Sequence, residues 1–352
     1  MPPLMYYETV FIIQEKVFMK TTIREVAKRA GVSISTVSRV FNETAIVDGS
    51  TKEKVLAAAR ALRYTPNQAA RSLVMNETRT IGLILPAVFG EYYSEVLRGM
   101  DEIASAADYD IILSGSKSIG SKFEKSIRAM AGRVDGLIVM SPTIGSEQLR
   151  AHMPHYLPTV LMNAADPSGS FATVSVDNHG GALLAVKHLI ALGHRRIAHI
   201  RGLDQSDDAR LRAAGYRSAM REAGLGSFIM EVSGEYTVES GVNAVRQLLA
   251  MADQPTAIFS SNDAMLLDAM PVIRERGLTV PGDLALVGFD DIPRAAAMTP
   301  ALTTIRVDLA GFGAAAMQDV LAAIHQGDAA APVHRTIGCE LVVRSSCGPV
   351  PR

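Results

Sequence analysis

The 352-residue chain has only two cysteines, Cys339 and Cys347. They fit neither a zinc-ligand spacing nor a CxxC motif, which excludes a metal finger and a dithiol redox centre. A disulfide between them stays open, although two reduced thiols are the expected state inside a cell. No apolar run reaches the roughly 20 residues of a membrane span. Val10–Ile13 is cut short by Gln14, Glu15 and Lys16 and is too brief for a secretory signal core. Residues 1–18 therefore read as an N-terminal extension. No P-loop, GxSxG, HExxH or GxGxxG is found, and the eight histidines are scattered. His194 and His199 flank an apolar run and read as structural. Lacking a nucleophile–base pair, a metal cluster or a cofactor motif, the chain does not read as an enzyme.

Net charge is also nearly absent, at −1, which over the whole chain argues against a polyanionic partner. Its distribution argues the other way. Residues 19–79 hold eleven Lys/Arg against five Asp/Glu, a net of +6 that leaves −7 for the rest. A basic head on an acidic body is the footprint of a nucleic-acid-binding module fused to something else.

What is present in that head is a pair of short helices. Ile23, Val26, Ala27 and Ala30 share one helical face behind Thr22, and Glu25 stands at the capping-box spacing. Gly31 ends this helix, and Ser33 caps a second one that turns Val37 and Val40 inward. Ile34, Ser35, Ser38, Arg39 and Asn42 then face outward. Such a helix-turn-helix lays its second helix in a major groove. Arg39 suits guanine O6 and N7, Ile34 a thymine methyl, and Ser35 either a donor or an acceptor. Thr21, Thr22, Thr36 and Asn42 suit phosphates. A hairpin that merely packs is the plainer alternative. Ser50 and Glu53 form a second capping-box pattern ahead of a third helix containing Val55, Leu56, Ala59 and Leu62. Pro66 then stops that helix and can begin a short one, marginal alone.

These residues carry a resemblance. Thr22-Ile-Arg-Glu-Val-Ala-Lys-Arg-Ala-Gly-Val-Ser33, then Thr36-Val-Ser-Arg-Val40 and Asn42, resemble the headpiece of the lactose-repressor/purine-repressor (LacI/GalR) family of transcriptional regulators. Pro66-Asn67 through Ala70-Arg71-Ser72-Leu73 resembles that family's hinge helix. The resemblance implies that Asn67, Ala70, Arg71 and Leu73 join the DNA contacts, and that the hinge folds on operator DNA. Leu73 would then be the minor-groove wedge.

From Thr80 short apolar runs alternate with helical patterns. The runs are Ile81–Leu85, Ile111–Leu113, Val134–Met140, Thr159–Met162, Thr173–Val176, Ile197–Ile200, Ala257–Phe259 and Leu284–Phe289. Helices are expected over Glu95–Ala107, Phe123–Gly132, Gly180–Leu192, Leu211–Ala223, Glu239–Met251 and Asp263–Arg276. This alternation predicts a parallel α/β sheet, as one sheet or two lobes. The family resemblance extends over nearly all of Thr21–Arg344, through Asp135-Gly136-Leu-Ile-Val, Leu192-Gly-His-Arg-Arg-Ile-Ala198, Gly288-Phe-Asp-Asp291 and Thr299–Ile305. It implies two lobes. The expected architecture is an all-α helix-turn-helix headpiece plus a periplasmic-binding-protein-like α/β core of two parallel-sheet lobes. The headpiece takes residues 19–64, the hinge and linker 65–79 and the core 80–344. One lobe would hold about 80–178 and 307–338, and the other about 179–306 and 339–344. Residues 345–352 read as a tail without heptads.

The resemblance also implies an effector cleft between the lobes, where strand ends point. It marks Tyr92 and Tyr93 as ligand-flanking aromatics, Arg212 as a ligand-clamping arginine with Arg210 a weaker candidate, Tyr236 as a closing aromatic and Asp290 as a ligand-binding aspartate, while Asn262 and Asp263 are candidates by their place just after the strand Ala257–Phe259. Core aromatics, a solvated helix-start arginine and a helix cap are the respective alternatives. Asn163 departs from the aspartate that many sugar-responsive members carry there. The implied protein is a cytoplasmic, nucleoid-associated repressor that binds a pseudo-palindromic operator as a homodimer. Its effector would be a sugar or sugar derivative, with a purine second. Control by a protein co-regulator is the alternative.

Overall fold

The computed structural model describes residues 21–42, 46–65, 77–86, 89–115, 121–140, 145–164, 166–327 and 331–350. The chain divides into two compact units, with the boundary after Thr78.

In the first unit, α1 (Ile23–Ala30), α2 (Ile34–Asn42) and α3 (Gly49–Ala61) surround a small core of Val26, Val37, Val40, Val55, Ala58 and Ala59. The Glu25 carboxylate accepts the backbone N–H of Thr22 at 2.7 Å, holding the start of α1. Gly31 takes the left-handed conformation (φ 69°), which lets α1 stop and the chain turn into α2. Ser33 Oγ accepts the N–H of Thr36 at 3.0 Å and begins α2. The start of α3 differs from the Ser50/Glu53 expectation. Asp48 is the cap, accepting the Thr51 N–H at 3.2 Å and the Ser50 hydroxyl at 2.6 Å. Ser50 lies inside the helix because a carboxylate two residues earlier reaches the free N–H groups first.

The second unit contains two six-stranded sheets. One is built from β1 (Thr80–Leu85), β2 (Asp110–Gly115), β3 (Gly136–Met140), β4 (Thr159–Met162), β5 (Ala172–Val176) and β11 (His334–Ile337), in the order β11-β5-β4-β3-β1-β2. The other is built from β6 (Ile197–Ile200), β7 (Met230–Val232), β8 (Ala257–Ser260), β9 (Ala285–Asp290), β10 (Thr303–Val307) and β12 (Cys339–Val342), in the order β12-β10-β9-β8-β6-β7. All pairings are parallel except β10 with β12. The helices that matter for the site are α4 (Glu91–Ala106) in the first lobe, and α7 (Asn178–Ala191) and α8 (Asp207–Glu222) in the second; α5 (Ser121–Met130) and α6 (Ser146–His152) lie between α4 and α7 in the chain.

The chain passes between the sheets three times, after β5, after β10 and at Gly338 between β11 and β12. The first two passages use one device. Asp177 caps α7 by accepting the Gly180 N–H at 2.8 Å, and Asp308 caps the later helix Leu309–Gln326 by accepting the Gly311 N–H at 2.8 Å. In both, glycine stands where a Cβ would strike the capping carboxylate.

Several expectations change. The helix expected over Asp263–Arg276 is a 3₁₀ turn (Ala264–Leu266) followed by a short helix (Ala269–Glu275) with Pro271 in its first turn. Helices α4 and α8 begin four residues earlier than expected. Helix α6, helix Leu309–Gln326 and strands β7 and β11 were not read from the sequence. The presumed tail is docked: Ser346 is buried, its carbonyl accepts the Leu286 N–H at 2.8 Å, and its hydroxyl accepts the Thr303 N–H at 2.8 Å. Among the described residues no helix is long and apolar enough to cross a membrane, and no group of three or more His, Cys, Asp or Glu side chains could hold a metal ion.

Candidate functional site

On α2 the side chains of Ser33, Ile34, Ser35 and Arg39 are exposed, while Thr36, Ser38 and Asn42 are half-buried. Ile34 is an apolar side chain left 45% exposed at the start of a helix. Ser33, Ser35 and Thr36 share hydroxyl contacts of 2.7–2.8 Å, so this turn presents a continuous polar edge. The Asn42 amide donates to Ser38 Oγ at 3.2 Å. Thr22 is exposed, but its hydroxyl and N–H both turn to Glu25. Thr21 is placed differently from a free phosphate donor: its hydroxyl donates to the Leu62 carbonyl at 3.0 Å and ties the start of α1 to the end of α3. The hinge residues Asn67, Ala70, Arg71 and Leu73, and the extension 1–18, lie outside the described residues.

The second site is a polar cluster where strand ends of the two sheets meet. Arg212 on α8 is its centre and is 3% exposed. Its Nε donates to Asn178 Oδ1 at 2.7 Å, and its Nη1 donates to the Ser261 carbonyl and lies 3.4 Å from Asp290 Oδ1. The guanidinium carbon sits 3.7 Å from the centre of the Phe289 ring, a cation–π contact in a desolvated place. Burial alone would lower the Arg212 pKa. Asp290, Tyr236 and Asp208 oppose that, and the net shift is upward, so the arginine stays charged.

Two carboxylates share this one cation. Burial pushes Asp290 up to about 7, with Arg212 pulling it down and Asp208 raising it further. Burial likewise pushes Asp208 up to about 6, with Arg212 opposing. Tyr92 and Tyr93 occupy the first turn of α4 in edge-to-face contact, ring centres 5.2 Å apart. Burial and the nearby Asp208 and Asp290 raise both phenols. The Asn163 amide donates to the Tyr92 hydroxyl at 3.3 Å. Tyr236 lies over Gly202, where an added Cβ would fall 2.1 Å from the ring.

Backbone strain collects at this place. Asn163 (φ 50°), Tyr236 (φ 61°) and Asp290 (φ 103°) are non-glycine residues in the positive-φ region, costing of order 1–3 kcal/mol each. The same three residues hold buried polar atoms that make no hydrogen bond of good geometry: Asn163 Oδ1, the Tyr236 hydroxyl, and Asp290 Oδ1, the last 3.4 Å from the Arg212 Nη1. Unpaired polar atoms are costly in a closed core and ordinary in a site awaiting a ligand.

Two candidate residues are placed away from that role. Arg210 points outward and pairs with Asp207. Asn262 is committed internally, accepting the Met265 N–H at 3.1 Å and donating to the Tyr236 carbonyl at 3.3 Å, so it supports the closing tyrosine. Sequence reading missed Asn178 and Asp208. The signal for Asp208 was its i, i+4 spacing to Arg212, hidden by starting that helix at Leu211. Asp263 lies beneath the cluster, accepting the Thr304 hydroxyl at 2.6 Å and the Ile292 N–H at 3.0 Å. His194 and His199 are buried and bonded to Thr256 and Ser261 respectively.

A helix-turn-helix unit followed by a two-sheet core with a strained polar cluster between the sheets describes a DNA-binding regulator with a ligand-sensing domain. Residues 22–67 match the family "Bacterial regulatory proteins, lacI family", and residues 186–347 match the "Periplasmic binding protein-like domain". Catabolite control protein A of Priestia megaterium is 37% identical over 305 residues, 85% of this chain and 91% of that protein. The ribose operon repressor of Escherichia coli (strain K12) is 38% identical over 288 residues, 81% of this chain and 87% of that protein. Among solved structures, the lac repressor dimer bound to operator and the anti-inducer ONPF matches with a TM-score of 0.83 at 29% identity, covering 93% of this chain and 98% of that one. The chain belongs to the lacI family of bacterial regulatory proteins. It is a transcriptional regulator and not an enzyme.

Proposed function

We propose that this protein is a repressor that binds a pseudo-palindromic operator as a homodimer, in the cytoplasm at the nucleoid, and that a small molecule held between its two lobes controls its grip. A sugar or sugar derivative is the effector class favoured. Each protomer would place α2 in a major groove, with Arg39, Ile34 and Ser35 toward the base edges and Thr22, Thr36 and Asn42 near phosphates. The hinge at Asn67, Ala70, Arg71 and Leu73 would reach the central minor groove. Effector and operator are then reciprocally coupled through the closure of the core.

The observation that carries the effector reading is the set of buried polar atoms on Asn163, Tyr236 and Asp290 that make no well-formed hydrogen bond, with Asp290 3.4 Å from the Arg212 guanidinium. Hydroxyl groups, which both give and take hydrogen bonds, satisfy such a set, and Tyr92 and Tyr93 offer faces for sugar C–H groups. Calorimetry with a panel of sugars and purines, paired with an operator-binding titration, tests it. Binding that shifts operator affinity is the expected result. If no small molecule binds while a partner protein alters operator affinity, control belongs to a protein co-regulator.

A further inference from the structure

The cleft is short of positive charge. Asp290 lies 3.4 Å from the Arg212 guanidinium, and Asp208 meets the same arginine through the Asn178 side chain they share. The cations on neighbouring strand ends are committed elsewhere. Arg201 pairs with Asp204 at 2.9 Å and donates to Ser233 at 3.1 Å, with its Nε left unpaired. Arg306 and Arg344 both hold Asp291, each at 2.7 Å. Arg212 has itself spent Nε on Asn178 and Nη1 on Ser261, and among the described residues nothing takes its Nη2.

Asp208 is the less neutralised of the two carboxylates. Its one hydrogen bond among the described residues is a long one, 3.4 Å from the Asn178 amide. The same Asn178 side chain holds the Arg212 Nε at 2.7 Å, so Asp208 stands beside the cluster's cation, and its charge raises Tyr92, Tyr93, Tyr236 and Asp290 alike. The hydrogen-bond inventory agrees with the charge. Asn163 Oδ1 waits for a donor, Asp290 Oδ1 has only the Arg212 Nη1 at 3.4 Å, and Tyr236 can give or take. Turning the Asn163 amide over lets the Tyr92 hydroxyl donate to Oδ1 and frees an N–H instead, and Asp290 can still take a further donor.

A phosphate monoester supplies the opposite. It brings nearly two negative charges and acceptor oxygens against two carboxylates and a half-used guanidinium, and like charges at close range are strongly disfavoured. We propose that the cleft selects an uncharged polyhydroxyl ligand and rejects its phosphate esters, with Asp208 enforcing the rejection. This inference rests on the small-molecule reading above. It assigns a selectivity role to a residue that makes no direct bond to Arg212.

The test uses the full-length protein and thermal unfolding, since a ligand of the folded state raises the melting temperature. One probe is the low-mass extract of the source bacterium, split on an anion exchanger into unretained and retained fractions. The others are D-ribose, D-glucose and D-fructose with their 5- or 6-phosphates. Stabilisation by the unretained fraction, and by a free sugar about ten-fold more strongly than by its ester, is the expected result. Stabilisation that sits in the retained fraction and disappears on phosphatase treatment overturns the proposal and leaves the small-molecule reading intact. Stabilisation by neither fraction overturns both. In Asp208→Asn, or Asp208→Ser if the first fails to fold, the ester-to-sugar affinity ratio should rise about ten-fold. An unchanged ester-to-sugar ratio overturns the role of Asp208.

Discussion

Asn178 holds Arg212. Its Oδ1 accepts the Arg212 Nε at 2.7 Å while its Nδ2 donates to the Val176 carbonyl at 3.2 Å. Asn178 is the first residue of α7, immediately after the chain has left the first sheet for the second. The guanidinium that would meet ligand is thereby tied to one of the three strands of chain joining the lobes. Removing this acceptor leaves a buried charged donor unpaired, worth about 1.5–3 kcal/mol. Asn178→Ala should therefore lower core stability by about that much and blunt the effector response, with operator affinity in the absence of effector unchanged. Chemical denaturation and an operator titration with and without effector check it. An intact response would show that Arg212 orients itself without Asn178.

Gly202 tests the seat of Tyr236. A Cβ at residue 202 would fall 2.1 Å from Tyr236 Cζ and 2.4 Å from its hydroxyl. The obstacle is a rigid ring, so Gly202→Ala must move the tyrosine. Effector affinity should fall by about ten-fold or more, in keeping with the cost of an overpacked site, while the headpiece binds DNA as before. Calorimetry with whichever sugar binds the native protein gives the answer.

Arg39→Ala should weaken operator binding by about 1–3 kcal/mol and relax sequence preference at one base position. A phosphate-only role predicts uniform weakening across sequences instead. Binding to a family of single-base operator variants separates the two.

The start of α3 offers a local test of capping. Asp48→Ala should cost the first unit about 1 kcal/mol, since it strips the acceptor from the Thr51 N–H. Ser50→Ala should cost much less, because Ser50 caps nothing. Thermal melts of the full chain that resolve the first unit would show the difference. Equal losses would restore the Ser50/Glu53 box.

That case shows where the sequence was readable. The helix-turn-helix was legible because its signals are local: a capping pair, a glycine that must turn left-handed, and apolar positions at helical spacing. For α3 two caps competed within three residues, and only geometry chose between Asp48 and Ser50. In the core, β-strands fully buried on both faces stood out as apolar runs. Edge strand β11 (His334-Arg-Thr-Ile) is largely exposed and has no such run. Helix Leu309–Gln326 is apolar on several sides because it packs between α4 and its own sheet, so it lacks a clean stripe. The site was legible where a resemblance pointed to Arg212, Tyr236 and Asp290. Asn178 and Asp208 stayed hidden because their role depends on where α7 and α8 begin, and helix starts are the least certain part of a pattern. The buried Ser346 carried no signal at all, since its partners Leu286 and Thr303 are distant in sequence.

The paired carboxylates make the core sensitive to pH in a direction that can be fixed in advance. Asp290 is raised to about 7 and Asp208 to about 6 in the folded protein, with burial the main cause. In the unfolded chain both return to about 3.9. Between those values the folded state binds more protons than the unfolded one, so stability falls as pH rises. The contribution is fully present below about pH 4 and is lost by the time pH has passed through the folded values near 6 and 7. Urea unfolding of the ligand-free protein should give a core less stable at pH 8 than at pH 5 on account of this pair. Asp290→Asn removes one titrating group and keeps a side chain that tolerates positive φ. Its stability should decline less over the same range. A parallel decline in the two proteins would mean that Asp290 titrates at an ordinary carboxylate value and that its charge is compensated by Arg212 more fully than its burial implies.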